Sequence, residues 1–176
     1  AHSRAGNTAK ALELHTEALR VRREVLGDVH AQTAASHAEV AGMLDEQGKF
    51  AEALRENACA LEILQRLHGD KHSRIAEIHN CMGVEYVRLS KGKEALACFQ
   101  QAQQGFEACY GTNHPATASS YNGMAIVCNA LQRHEEALEM FERALAIRTA
   151  VFGEDHPATL GTARDVQATR ARVAQV

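Results

Sequence analysis

A chain of 176 residues, 45% of them hydrophobic, is long enough to bury the core of one domain. Its formal net charge of −3, with acids and bases interspersed, leaves no basic stripe for a nucleic acid. No apolar run reaches membrane-spanning length and no charged-apolar leader opens the chain, so neither nucleic acid nor membrane is expected as a partner.

One signal sets the frame. Gly-x-x-His occurs at 27–30, 69–72, 111–114 and 153–156, the last two continuing into Pro115 and Pro157, and successive copies lie 42 residues apart. A fixed period of this length marks a repeat array. In chain order, residues 1–7 are short and polar, and 3–6 read as the tail of a helix whose body is missing. A first full helix is predicted over about 8–26, with Ala11, Leu12, Ala18, Leu19, Val25 and Leu26 on one side. The second, about 31–47, carries Ala34, Val40, Ala41 and Leu44. The third, about 50–68, carries Ala53, Leu54, Ala60, Leu61, Leu64 and Leu67.

The fourth, about 73–90, has Ala76, His79, Met82, Gly83, Tyr86 and Leu89. The fifth, about 93–110, has Ala95, Leu96, Phe99, Ala102, Phe106 and Tyr110. In the sixth, about 115–132, the stripe is Ala118, Tyr121, Met124, Ala125, Cys128 and Leu131. In the seventh, about 134–152, it is Ala137, Leu138, Phe141, Ala144, Leu145 and Val151. An eighth follows over about 157–173. Steps of three and four throughout make these amphipathic helices, and no alternating stretch suggests a strand. The fold class is all-α, in antiparallel pairs joined by short turns.

Local chemistry agrees. Glycines close helices where the chain turns left-handed, Pro115 and Pro157 sit at first helical positions, and Glu52, Glu94, Glu135 and Glu136 crowd first turns. Alanines at 42-residue spacing (11, 53, 95, 137 and 18, 60, 102, 144) let neighbouring helices approach closely. Cys59, Cys81, Cys98, Cys109 and Cys128 are odd in number, form no Cys-x-x-Cys and fall within helical patterns. They read as small buried thiols of a reducing compartment, and the expected location is cytoplasmic.

The unit Tyr121…Met124-Ala125…Cys128…Ala137…Phe141…Ala144, with its counterpart His79…Met82-Gly83…Tyr86…Ala95…Phe99…Ala102, resembles the tetratricopeptide repeat. The 42-residue period and the Gly-x-x-His-Pro-Ala-Thr opening resemble the longer variant found in kinesin light chains. The resemblance spans nearly the whole chain. It divides 1–176 into a single array: a partial repeat 1–27, repeats 28–69, 70–111 and 112–153, and a C-terminal capping helix 154–176. His15 and Asn57 depart from the aromatic held at Phe99 and Phe141, and looser packing is expected there.

The resemblance implies a helical-hairpin solenoid of about eight helices, a right-handed superhelix whose first helices line a concave groove. Helix geometry selects the same face independently, opposite the buried stripes. It carries Ser119, Asn122, Ile126 and Asn129; one period earlier Glu77, Asn80, Val84 and Val87, with Arg88 beside them; and one further back Ala38, Gly42, Asp45 and Glu46, with Glu39 adjacent. Val84 and Ile126 are apolar, off the core stripe and one repeat apart. Asn80 and Asn122 share another repeated place, where the family commonly holds a peptide backbone, because an amide both donates and accepts.

Sharper chemistry is scarce. His30, His72, His114 and His156 lie one per repeat, too far apart to converge on one ion, so they read as turn and cap residues. His68 and His72 straddle Gly69 and read as solvated loop residues. No phosphate loop, nucleophile elbow or paired-carboxylate spacing appears. No enzyme activity, cofactor or metal is expected. The expected function is a scaffold binding an extended or helical peptide of a protein partner in the groove. The alternative is a structural array acting by self-association or stacking.

Two further expectations concern the ends. Ala1 is not a methionine, and the array reads as severed at its N-terminus, leaving an apolar face on 8–26 for homo-association. At the other end Gln167 and Arg170 stand where earlier repeats have Ala125 and Cys128, as suits a solvated cap. Acids at Glu39, Asp45 and Glu46, against Arg88, Arg164 and Arg172 with Asp165 as a partial offset, would orient a bound peptide.

Overall fold

The computed structural model describes the backbone of residues 2–175 and the side chains of 8–175. Among the described residues it consists of eight helices and no strand: α1 His2–Leu26, α2 Ala31–Glu46, α3 Phe50–His68, α4 Ser73–Arg88, α5 Gly92–Tyr110, α6 Pro115–Ala130, α7 His134–Phe152 and α8 Pro157–Val173. Each helix packs on its chain neighbours, and α4 also touches α6. No helix among the described residues is long and apolar enough to cross a membrane.

The repeat is built on two alternating joints. After α3, α5 and α7 the chain turns at Gly69, Gly111 and Gly153, with φ of 67°, 84° and 85° and ψ near ±170°, a region open essentially to glycine alone. The following histidine then caps the next helix. In His30, His72, His114 and His156 the Nδ1 accepts the backbone N–H two residues on, at 3.1–3.2 Å. The cap reading of these histidines therefore holds. The other joint ends α2, α4 and α6 at Gly48, Ser90 and Gln132, all with positive φ. The N–H of Lys49, Lys91 and Arg133 reaches back to the carbonyl five residues earlier at 2.9 Å, the 6→1 bond of a left-handed helix stop.

The core lies along the seam between the two helix types. Ala53, Ala60, Ala95, Ala102, Ala137 and Ala144 are fully buried, as close approach requires. Gly83, Gly105 and Gly123 continue the theme: a Cβ at Gly83 or Gly123 would stand 2.7 or 2.6 Å from the Phe99 ring, and one at Gly105 would stand 2.7 Å from Ala76 Cβ. One helix-to-helix lock changes chemistry along the array. Arg22 donates to Ser36 at 2.5 Å and Arg148 to Thr162, while at the corresponding place Leu64 and Ile78 share an apolar cluster.

Three expectations are corrected. The backbone runs as one helix through Gly6. A single glycine costs a helix about 1 kcal/mol, too little to break a run otherwise rich in Ala, Leu, Arg and Glu. Of the cysteines only Cys128 is buried; Cys98 is intermediate and Cys59, Cys81 and Cys109 are exposed, Cys59 one step off the alanine stripe and Cys109 in the exposed last turn of α5. His68 and His72 are not independent loop residues. His68 ends α3, His72 caps α4, and their rings stack at 4.5 Å, as Phe152 does on His156; Tyr110 meets His114 at 4.3 Å. The helix ends at the glycine between them, yet the turn still brings the two rings together.

Candidate functional site

Neighbouring even-numbered helices meet through positions 40 residues apart. Ser120 Oγ donates to Asn80 Oδ1 at 3.4 Å, joining α6 to α4, and Asn129 Nδ2 donates to Thr169 Oγ1 at 2.8 Å, joining α6 to α8. Between α4 and α6 the same spacing brings Val87 and Val127 into one apolar cluster. The corresponding pair on α2 and α4 is Asp45 and Glu85. Two carboxylates thus stand where the next seam has two valines.

At that seam the helices part around a cavity of about 290 Å³. Its walls are apolar, from Ala34, Ala38, Leu64, Ile78 and Val84, and Asp45, Asn57 and Glu85 form one end. Asn57 Nδ2 donates to Glu85 Oε1 at 2.7 Å. Glu85 Oε2 and Asp45 Oδ1 are buried without a hydrogen-bond partner. Burial, reinforced by the charge of Asp45, pushes the Glu85 carboxyl up to about 8, and the Asn57 hydrogen bond offsets only part of this.

The expected face residues divide into two groups. Glu77, Val84, Arg88, Ser119, Ile126 and Arg164 are exposed; Val84 and Ile126 stand out as apolar side chains 39% and 46% open to solvent. Asn80 borders the cavity with its Oδ1 held by Ser120, and the Asn122 carbonyl oxygen is buried without a partner. The others are already engaged. Val87 packs into the core between α4 and α6, Asn129 bridges Thr169 and His134, and Glu39 is drawn toward His15 and Arg22 of α1. Each lies beside the core stripe, where the next helix takes up the flank of the outward face. On α8 Gln167 and Arg170 are exposed, Arg170 paired to Glu142 at 2.7 Å.

The family model for the tetratricopeptide repeat matches residues 1–66, 74–150 and 119–166. The chain belongs to the tetratricopeptide-repeat family. Among solved structures, BtubC (BKLC) from P. vanneervenii superposes with a TM-score of 0.80 at 25% identity, over 98% of this chain and 73% of that one. Two structures of a kinesin light chain-like protein with nearly identical repeats from Podosopora anserina give TM-scores of 0.83 and 0.82 at 20% identity. They cover 98% of this chain and 81% and 82% of theirs. No curated protein matches the sequence. The chain is therefore a tetratricopeptide-repeat solenoid, a scaffold type that generally mediates protein–protein contact and is typically non-catalytic.

Asn57 is visible in the sequence as a departure from Phe99 and Phe141, but its partner Glu85 is not among the expected residues. The signal was available in the register: Glu85 falls on the place of Val127 one repeat later. A charge at a buried apolar place of a tetratricopeptide repeat needs a partner.

Proposed function

We propose that the face shared by α2, α4, α6 and α8 binds an extended or helical peptide segment of a protein partner. One observation carries the reading: the buried, unpartnered carbonyl oxygen of Asn122 lies one helical turn from exposed Ile126. An unsatisfied acceptor costs about 1–3 kcal/mol, which a peptide N–H would recover while an apolar side chain covers Ile126. One unit earlier exposed Val84 repeats the apolar place beside Asn80, whose Oδ1 already accepts from Ser120, and exposed Arg88 and Arg164 would set peptide orientation more than affinity.

The test is selection from a displayed peptide library on the intact chain, followed by titration of the selected peptide. Asn122→Ala and Ile126→Asp should each weaken binding about tenfold or more with helical content unchanged. Retained affinity in both variants would place binding on another face.

A second reading rests on α1, where Leu14 and Val25 are 64% and 74% exposed and Val21 lies beside them. We infer self-association through this stripe as its function, since exposed apolar patches mark interaction surfaces. Sedimentation should show mass rising with concentration, and Leu14→Lys/Val25→Lys should abolish the rise. A constant monomer mass would dismiss it.

A further inference from the structure

The seam between α2 and α4 departs from the others in a coordinated way. Position 45 holds Asp where its counterparts are Val87 and Asn129; position 85 holds Glu where the next repeat has Val127; position 57 holds Asn where the next two have Phe99 and Phe141. Phe99 fills the space left by Gly83 and Gly123. Around Asn57 those places hold Ala41 and Cys81, and no ring closes the gap. The result is a hole with apolar walls and an acidic end.

We propose that this cavity is a subsite for one basic side chain, lysine or arginine, of the partner that occupies the even-helix face. The walls of Ala34, Ala38, Ile78 and Val84 suit an aliphatic stem, and the acidic end suits its cationic head. That division of labour is how long basic side chains bury themselves. At about 290 Å³ the space is smaller than most drug-sized sites and fits a side chain rather than a whole ligand.

Two orphaned oxygens define the site. Glu85 is 2% exposed with Oε2 unpartnered, and Asp45 Oδ1 is likewise buried and free. Neither carboxylate has an ion pair among the described residues. Arg74, which also borders the cavity, lies eleven residues from Glu85 on α4, about 16 Å along the helix. Two unpartnered acids side by side are costly to bury unless a cation joins them, and a guanidinium or ammonium brings donors for both.

Without a cation Glu85 holds its proton near neutral pH, because burial and the neighbouring Asp45 charge push its carboxyl up. The titratable groups around Glu85 are Asp45 from α2, Cys98 from α5, and Glu77 and Cys81 on its own helix. Tyr86, next in the chain, also couples to Glu85, and the one base at the cavity, Arg74, stands at its far end, so among the described residues no cation pairs with either carboxylate. An incoming cation displaces the proton, and binding tightens as pH rises from neutral toward 9.

The inference rests on the even-helix face being the binding face, but its test does not need the partner. Isotope-labelled chain is titrated with N-acetyl-arginine amide, N-acetyl-lysine amide and the neutral isostere N-acetyl-citrulline amide, following backbone amide shifts. The expected result is saturable change at residues 44–46, 57 and 81–85 with one or both basic probes. It should be at least tenfold weaker with citrulline and stronger at about pH 8.5 than at pH 6.5. Asp45→Asn, which installs the residue found at Asn129, and Glu85→Gln should each weaken the response about tenfold while leaving the helical spectrum intact. Equal response to citrulline, no saturable change, or full binding by both variants overturns the subsite. Those outcomes leave the Asn122 and Ile126 test of the whole face untouched.

Discussion

Replacing Gly123 by alanine probes the packing at the centre of the array, and the sign of the effect decides the matter. Helix propensity alone favours the change by about 1 kcal/mol. Packing opposes it: the new Cβ would stand 2.6–2.8 Å from three atoms of the Phe99 ring, and Gly83 already abuts the same ring edge from α4. Phe99 is 3% exposed, so the ring has nowhere to withdraw. Overpacking of this kind costs about 1–3 kcal/mol, leaving Gly123→Ala neutral to destabilising by roughly 2 kcal/mol. Gly161 in α8 is the control, because a Cβ there meets nothing within 4 Å and alanine should gain close to the full propensity term. The two variants should differ by roughly 1–3 kcal/mol, or roughly 3–10 °C in melting temperature for a chain of this size. Thermal unfolding followed by far-ultraviolet circular dichroism measures the gap. A Gly123→Ala melting point equal to or above that of Gly161→Ala would refute the argument that the glycines exist to seat Phe99.

Three further outcomes follow from the joints and the buried acid. Ser90→Gly and Gln132→Gly should each stabilise by about 1 kcal/mol in urea titrations, since both residues hold the positive φ that glycine adopts without strain; a loss of stability would contradict the helix-stop geometry. His114→Ala should cost about 1 kcal/mol by removing a cap, and His114→Asp should recover most of it, whereas equal loss in both would mean that the ring contact with Tyr110 matters more than the cap. Glu85, raised from 4.5 to about 8, favours its protonated form in the fold, so its contribution is fully present below about pH 4.5 and declines as pH rises through 8. Glu85→Gln should match the native chain near pH 4 and exceed its unfolding free energy by roughly 4–5 kcal/mol at pH 9; parallel profiles would show that Glu85 does not titrate in this range.

The fold was legible because its signals are redundant. Glycine, histidine and alanine each return every 42 residues, and any one of them sets the register. The outward face was legible only in its centre. Val84 and Ile126 lie opposite the stripe and emerge exposed, but Val87 and Asn129 sit on its flanks, where a neighbouring helix decides between burial and solvent. Helical periodicity describes one cylinder at a time and carries no information about how far apart two cylinders stand. The cysteines failed for a related reason: composition ranks cysteine as a buried residue type, while Cys59 is one step from Ala60 and on the other side of the helix wall. The Asp45–Asn57–Glu85 cluster joins three helices, so no single stripe announces it.

The joints between units have a consequence for how such a chain can grow. Each is completed by groups a few residues apart: a glycine with φ between 67° and 89°, a histidine cap, and at two joints a threonine hydroxyl returning to the glycine carbonyl, Thr33 to Gly27 at 2.9 Å and Thr117 to Gly111 at 3.2 Å. The hinge therefore travels with the segment that carries it. A duplication of 42 residues cut at a glycine inherits a finished corner and a stripe already in phase, and it lengthens the stack without inventing a new contact. An insertion of any other length would have to rebuild both at once, which makes whole-unit copying the path of least resistance for lengthening the chain.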